Sequence, residues 1–115
     1  MSAELLDLNF IEDQDLSADF VSDEILTNYT IASISFQGIA TGSPSGVIEA
    51  EISIRDGQWT KLEGCQEISE DLSQTNEFFF VLPDIGDYGS KLRLCWKSGA
   101  GSSGLLNVAY RILPR

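Results

Sequence analysis

Apolar and polar residues alternate one for one through several short stretches of this chain, and segments rich in Gly, Ser and Pro separate those stretches. The clearest case places Ile48, Ala50, Ile52 and Ile54 on one side and Glu49, Glu51, Ser53 and Arg55 on the other. Successive side chains of a strand point to opposite faces, so this spacing suits a half-buried strand. An amphipathic helix needs a period of 3.6 instead. The pattern recurs in Ala32, Ile34 and Phe36, in Leu92, Leu94 and Trp96, and in Leu106, Val108, Tyr110 and Ile112. Residues 77–82 read as an aromatic strand closed by Pro83. No stretch repeats with a helical period. The expectation is an all-β, antiparallel β-sandwich or jelly-roll-like domain of about seven strands.

The turns carry their own chemistry. Thr41 to Gly46 and Ser98 to Gly104 are dense in Gly and Ser and are expected as hairpin loops. Asp56-Gly57 suits a two-residue turn with positive φ at both positions. That turn would set Ile54 opposite Trp59 on the buried face, with a bulge between Trp59 and Leu62 to correct the parity. The expected inward set is Ile52, Ile54, Trp59, Phe78, Phe80, Leu94, Trp96, Val108 and Tyr110. Residues 63–76 are polar and read as a loop.

Charge divides the chain. Its first 54 residues hold ten acids and no Lys or Arg, whereas the remaining 61 hold eight acids and seven bases. The net charge is −11. Such a balance argues against nucleic acid as a partner, because a basic patch supplies most of that affinity. It argues equally against anionic membrane surfaces. The reading divides the chain into an extended acidic N-terminal arm, residues 1–16, and a sandwich over residues 17–115. Within the arm Leu5, Leu6, Leu8, Phe10 and Ile11 are too apolar for a solvated tail and are expected to pack on a partner, with Phe10 as the anchor. Lys91, Arg93 and Lys97 fall on outward positions of one strand and are a second candidate contact, complementary to the acidic arm of a neighbouring copy.

Catalytic chemistry finds little footing. The chain has no His, which removes the commonest general base and transition-metal ligand. Cys65 and Cys95 are its only cysteines, read as free thiols, and they rule against a structural zinc site. Gly99 to Gly104 looks like a phosphate loop but lies between strands instead of opening a helix. Neither paired carboxylates nor an EF-hand spacing stands out in the acidic segments. Neither an enzyme nor a cofactor is expected. A sugar-binding module would require Trp59 or Trp96 to be exposed, and both are expected inside.

One resemblance covers about 100 of the 115 residues. It runs through Ser22, Tyr29 to Gln37, Thr41-Gly-Ser-Pro-Ser-Gly46, Ile52-Ser53, Asp56-Gly57-Gln58-Trp59, Leu92-Arg93-Leu94 and Ser98-Gly99-Ala100-Gly101. This order resembles small β-sandwich structural proteins of tailed-bacteriophage virions. Leu92 and Leu94 flank Arg93 where such chains often carry Tyr or Val. The resemblance implies a non-enzymatic virion structural protein, foremost a capsid decoration or cement protein, with a neck or tail component as the alternative. Its implied partners are other virion proteins, such as the major capsid protein, and further copies of itself. Its place would be the virion, after synthesis in the host cytoplasm. A separate alternative, drawn from charge, is an acidic DNA mimic that inhibits a nucleic-acid-binding enzyme.

Overall fold

A computed structural model of the chain describes residues 5–55, 57–62, 67–68, 76–87 and 91–115. The alternating stretches become strands β1 (Leu5–Asp15), β2 (Phe20–Val21), β3 (Ile25–Leu26), β4 (Ile31–Ala40), β5 (Gly46–Ser53), β6 (Thr60–Lys61), β7 (Glu67–Ile68), β8 (Glu77–Pro83), β9 (Lys91–Ser98) and β10 (Leu105–Pro114). One 3-10 turn, Ile85–Asp87, is the sole helical element among the described residues. Most of the expected loop at 63–76 lies outside the described residues, as does Asp56.

The strands form two antiparallel sheets. The first runs β1-β10-β4-β8; the second runs β2-β9-β5-β6, with β3 also on β9 and β7 also on β5. Their facing sides meet in one core. Ile34, Phe36, Phe80, Leu106 and Val108 come from the first sheet, and Ile48, Ala50, Leu92, Leu94 and Trp96 from the second. Each large side chain so buried contributes roughly 1.5–3 kcal/mol relative to exposure. The architecture is the antiparallel sandwich that period-two alternation predicts.

Gly38 shows why one apolar strand tolerates a glycine at its centre. It lies opposite Phe78 in the β4–β8 register. A Cβ built there would sit 2.2 Å from the Phe78 ring. The aromatic ring therefore fills the space that a Gly38 side chain would take.

Three expectations change. First, the acidic stretch is built into the sandwich. Residues 5–15 are the edge strand β1, paired along β10 from Leu5↔Ile112 to Asp15↔Leu105. Ile11 and the following Leu16 are buried in the core. Apolar side chains spaced at irregular intervals hide this strand from a period count, because β1 shifts register between Asp7 and Ile11 and again between Ile11 and Gln14.

Second, the loops at 41–45 and 99–104 are not hairpins. The first carries the chain from β4 to β5 and the second from β9 to β10, so both cross between sheets. They lock onto each other. Ser45 N donates to Ser102 Oγ, Gly99 N to Ser45 O and Thr41 N to Leu105 O. Leu16 closes the same end: its carbonyl accepts from Trp96 Nε1 and Ser98 Oγ, and its N–H donates to Gly104 O. At Gly104, φ is +110° and a Cβ would lie 1.7 Å from the Thr41 carbonyl oxygen, so only glycine fits.

Third, the β5–β6 register is Ile52↔Thr60 and Glu51↔Lys61, one residue away from the expected pairing of Ile54 with Trp59. A one-residue slip sends every side chain to the opposite face. Trp59 accordingly joins the outer face, no bulge is needed before Leu62, and Ile54 lies past the end of β5 at 74% exposure. Of the expected inward set, Phe78, Phe80, Leu94, Trp96 and Val108 are buried, and Ile52 and Tyr110 pack against the core from its margin.

Candidate interaction surfaces

The outer face of the four-stranded sheet leaves several apolar side chains uncovered. Inward-facing Ile34, Phe36 and Gly38 on β4 oblige Ser35, Gln37 and Ile39 to face out, and on β8 Phe78, Phe80 and Leu82 leave Phe79 and Val81 outside. Large apolar residues stand at the two edges, with Ser35, Gln37, Ala109 and Arg111 between them. Leu6 and Leu8 on β1 are 62% and 72% exposed, and Phe79 on β8 is 55% exposed. Between them Ser35, Gln37 and Ala109 floor a shallow groove of about 220 Å³, with Arg111 and Tyr110 along its lining. A neighbouring groove of about 280 Å³ continues past Ile39, Glu77 and Asn107. Both fall below the roughly 300–1,000 Å³ typical of small-molecule pockets, and both are open. A broad, shallow, apolar surface of this kind suits another macromolecule better than a small ligand.

Acids border that face along β1. Glu12, Asp13 and Asp15 are exposed there, and Asp7 is half-buried beside Tyr110. Burial and the Asp7 charge both raise the Tyr110 pKa. Asp13 has φ of +47°, and its N–H donates to Asn107 Oδ1, while Asn107 Nδ2 donates to Asp13 Oδ1.

The expected partner residues of this stretch divide between two directions. Leu6 and Leu8 face out. Ile11 is in the core, and Phe10 packs on it, its ring 4.9 Å from Tyr110 in an edge-on arrangement and 6.1 Å from Phe36. Phe10 as an anchor for a foreign surface is thus corrected: its own sandwich uses the ring. Of Leu5 only the backbone is described.

The outer face of the second sheet centres on a charged network satisfied within the chain, with exposed Val21 and Leu26 beside it. Arg93 on β9 lies opposite Glu51 on β5. Its Nε and Nη2 reach Glu51 Oε1 at 2.9 and 2.8 Å, and its guanidinium stacks 4.0 Å from the Trp59 ring centre. Cys95 Sγ donates to the same Glu51 oxygen at 2.9 Å. Burial pushes the Cys95 thiol pKa up, helped by its hydrogen bond to Glu51 and that carboxylate's charge, to about 12. The thiol is therefore protonated and a donor at neutral pH. For Glu51, burial acts to raise the pKa, but the hydrogen bonds from Cys95 and Arg93 and the positive charges of Arg93 and Lys97 outweigh it, and the net shift is downward.

This network bears on the basic candidates. Arg93 is bound to Glu51, and Lys91 pairs with Glu24 at 3.7 Å, so both are neutralised within the chain. Lys97 remains exposed. Trp96 is fully buried, and Arg93 occupies one face of half-buried Trp59, which leaves little for a sugar to stack on. Cys95 is a free, buried thiol; Cys65 lies outside the described residues. Sequence reasoning missed Ile39, Phe79 and Val81 as surface residues, although alternation around buried Phe78 and Phe80 is enough to place the latter two outside.

No family model matches the chain, and no curated protein matches it. Several solved structures are similar to part or most of this chain. A CBM4 protein is 18% identical, with 84% of this chain and 61% of that one covered and a TM-score of 0.45. Dimeric latent PorU from Porphyromonas gingivalis is 12% identical, with 97% and 12% covered and a TM-score of 0.46. A family 16 carbohydrate-binding module is 14% identical, with 88% and 72% covered and a TM-score of 0.38. The chain thus spans under two thirds of the first two. At these scores the likeness carries no argument about what this chain does.

Proposed function

We propose that this chain is a non-enzymatic structural protein that works by docking on other proteins in a multi-copy assembly, and that the assembly is a virion in which it decorates and stabilises the capsid. The observation that carries the docking reading is the uncovered apolar face of the four-stranded sheet, with Leu6 and Leu8 at one edge and Phe79 at the other. Exposed apolar side chains gathered around a shallow groove support an interaction site. The acids along β1 select a partner whose apolar contact patch is bordered by Lys or Arg. The virion setting is supported by the order of strand and turn motifs that resembles phage sandwich proteins. A neck or tail position fits the same motifs.

Purified particles test both levels. The chain is expected in their protein inventory, and a Leu6→Lys/Leu8→Lys variant should stay folded yet lose incorporation at least tenfold. Absence of the wild-type chain from particles would overturn the virion reading. Normal incorporation of the variant would overturn docking through this face.

A further inference from the structure

The two edges of the four-stranded sheet are finished in opposite ways. The β1 edge carries Asp7, Glu12, Asp13 and Asp15, two register shifts and a residue of positive φ. Charges and bulges of this sort prevent strand addition. At the other edge β8 is seven residues long, alternates strictly between exposed and buried, and has no charged residue after Glu77. It pairs with β4 in an unbroken register from Ser33↔Pro83 to Ile39↔Glu77. No strand among the described residues pairs with its far side. A regular, apolar, unguarded edge is a template for another strand.

We propose that this edge joins a second copy of the chain, β8 against β8 in antiparallel fashion, to give one continuous eight-stranded sheet. The strand's own sequence fits itself. With the two-fold axis at Phe80, Phe80 meets Phe80, Phe78 meets Leu82 and Phe79 meets Val81. The one acid, Glu77, falls opposite Pro83, so no like charges face each other. The two-fold arrangement closes on itself and yields a dimer, not a fibre. Charge also favours a copy at this edge over β1. The acids of β1 lie three strand spacings away, roughly 14 Å, which exceeds the screening length of about 8–10 Å at physiological salt. Two copies of charge −11 thereby meet at the less acidic of the sheet's two edges, where Glu77 is the one acid of β8.

This inference rests on the multi-copy reading and names its contact. Light scattering coupled to size exclusion should give a mass twice the chain's 12.6 kDa. Val81→Lys, an exposed position that would face Phe79 of the other copy, should return the mass to that of one chain while the variant still melts cooperatively, its midpoint now independent of concentration. Leu8→Lys, on the same face but the other edge, should leave the dimer intact. Should Val81→Lys fold poorly, hydrogen exchange on the wild type decides: β8 amides should gain protection at least tenfold between dilute and concentrated protein. A monomeric wild type at the highest concentration, a dimeric Val81→Lys, or exchange on β8 independent of concentration would each overturn the β8 contact. Particle incorporation, read separately, would still stand or fall on the Leu6 and Leu8 face.

Discussion

Replacing Leu16 by Ala asks whether the acidic stretch belongs to the fold. Leu16 is fully buried, and its backbone ties to Trp96, Ser98 and Gly104 hold it at the closed end of the sandwich. Loss of a buried leucine side chain costs its transfer free energy plus that of the cavity left behind, roughly 2–5 kcal/mol. A domain of this size shifts its melting temperature by about 4 °C per kcal/mol. The midpoint should therefore fall by roughly 8–20 °C, a large part of a total stability of roughly 5–15 kcal/mol. Ile11→Ala, 6% exposed in wild type, should fall in the same range. Leu8→Ala, at 72% exposure, should change stability by less than about 0.5 kcal/mol. Far-UV circular dichroism melts at matched concentration make the comparison, since any dimer adds a concentration dependence. If Leu16→Ala and Ile11→Ala both melt within a degree of wild type, residues 5–16 are an appendage and β1 is not a strand of the first sheet.

Three further outcomes follow from the same geometry. Glu51→Gln should destabilise the protein at pH 7, and the gap to wild type should close in acid: the folded pKa of Glu51 lies below its unfolded value of about 4.3, so its contribution is complete above that pH and disappears as pH drops through the folded value. Urea titrations at several pH values measure this, and a gap that widens in acid would contradict it. In a Cys65→Ser background, Cys95 should react with an aromatic disulfide reagent only after denaturant is added, because its thiol is buried and its pKa is about 12; rapid labelling of native protein would refute the Glu51 contact. Gly104→Ala should lower stability by at least roughly 1–3 kcal/mol through backbone strain alone, with the Thr41 carbonyl adding to the loss; a melt equal to wild type would show that the two crossing loops do not interlock.

Much of the fold was legible because it depends on local rules. Period two places Phe36, Leu94, Trp96 and Val108 inside without knowledge of any partner strand. Glycine and serine at 41–46 and 98–104 correctly announce changes of direction. Such turn chemistry does not say whether the next strand returns to the same sheet or crosses to the other, since either requires a compact reversal. That choice is made by Leu16 and by the hydrogen bonds between the loops, which join residues far apart in sequence. Ile54 was misplaced for a related reason. Its alternation with Ile48, Ala50 and Ile52 is perfect, but β5 stops at Ser53, whose hydroxyl donates to the Arg55 carbonyl and ends the strand.

The candidate surface was half legible for a physical reason of its own. An unbroken run such as Phe78-Phe79-Phe80-Val81-Leu82 cannot bury both rows in a sheet that has one covered face. In a parallel, doubly covered sheet the same run would be ordinary core, and composition alone does not tell the two apart. Once the strand is known to lie at an antiparallel edge, the exposed row becomes a consequence. The acids on β1 follow the same logic in reverse. Leu5, Leu6, Leu8, Phe10 and Ile11 looked like a partner-seeking segment because no neutralising cation lies near them in sequence. Their strand instead sits where carboxylates can remain in water, at an edge, while Ile11 turns inward and Leu6 and Leu8 stay out. One sheet thus carries a charged edge that resists another strand and, among the described residues, an apolar edge with a single acid, Glu77, at its start. Selection for a soluble monomer would be expected to guard both. The asymmetry is the strongest physical reason to look for this chain's function in what it assembles with.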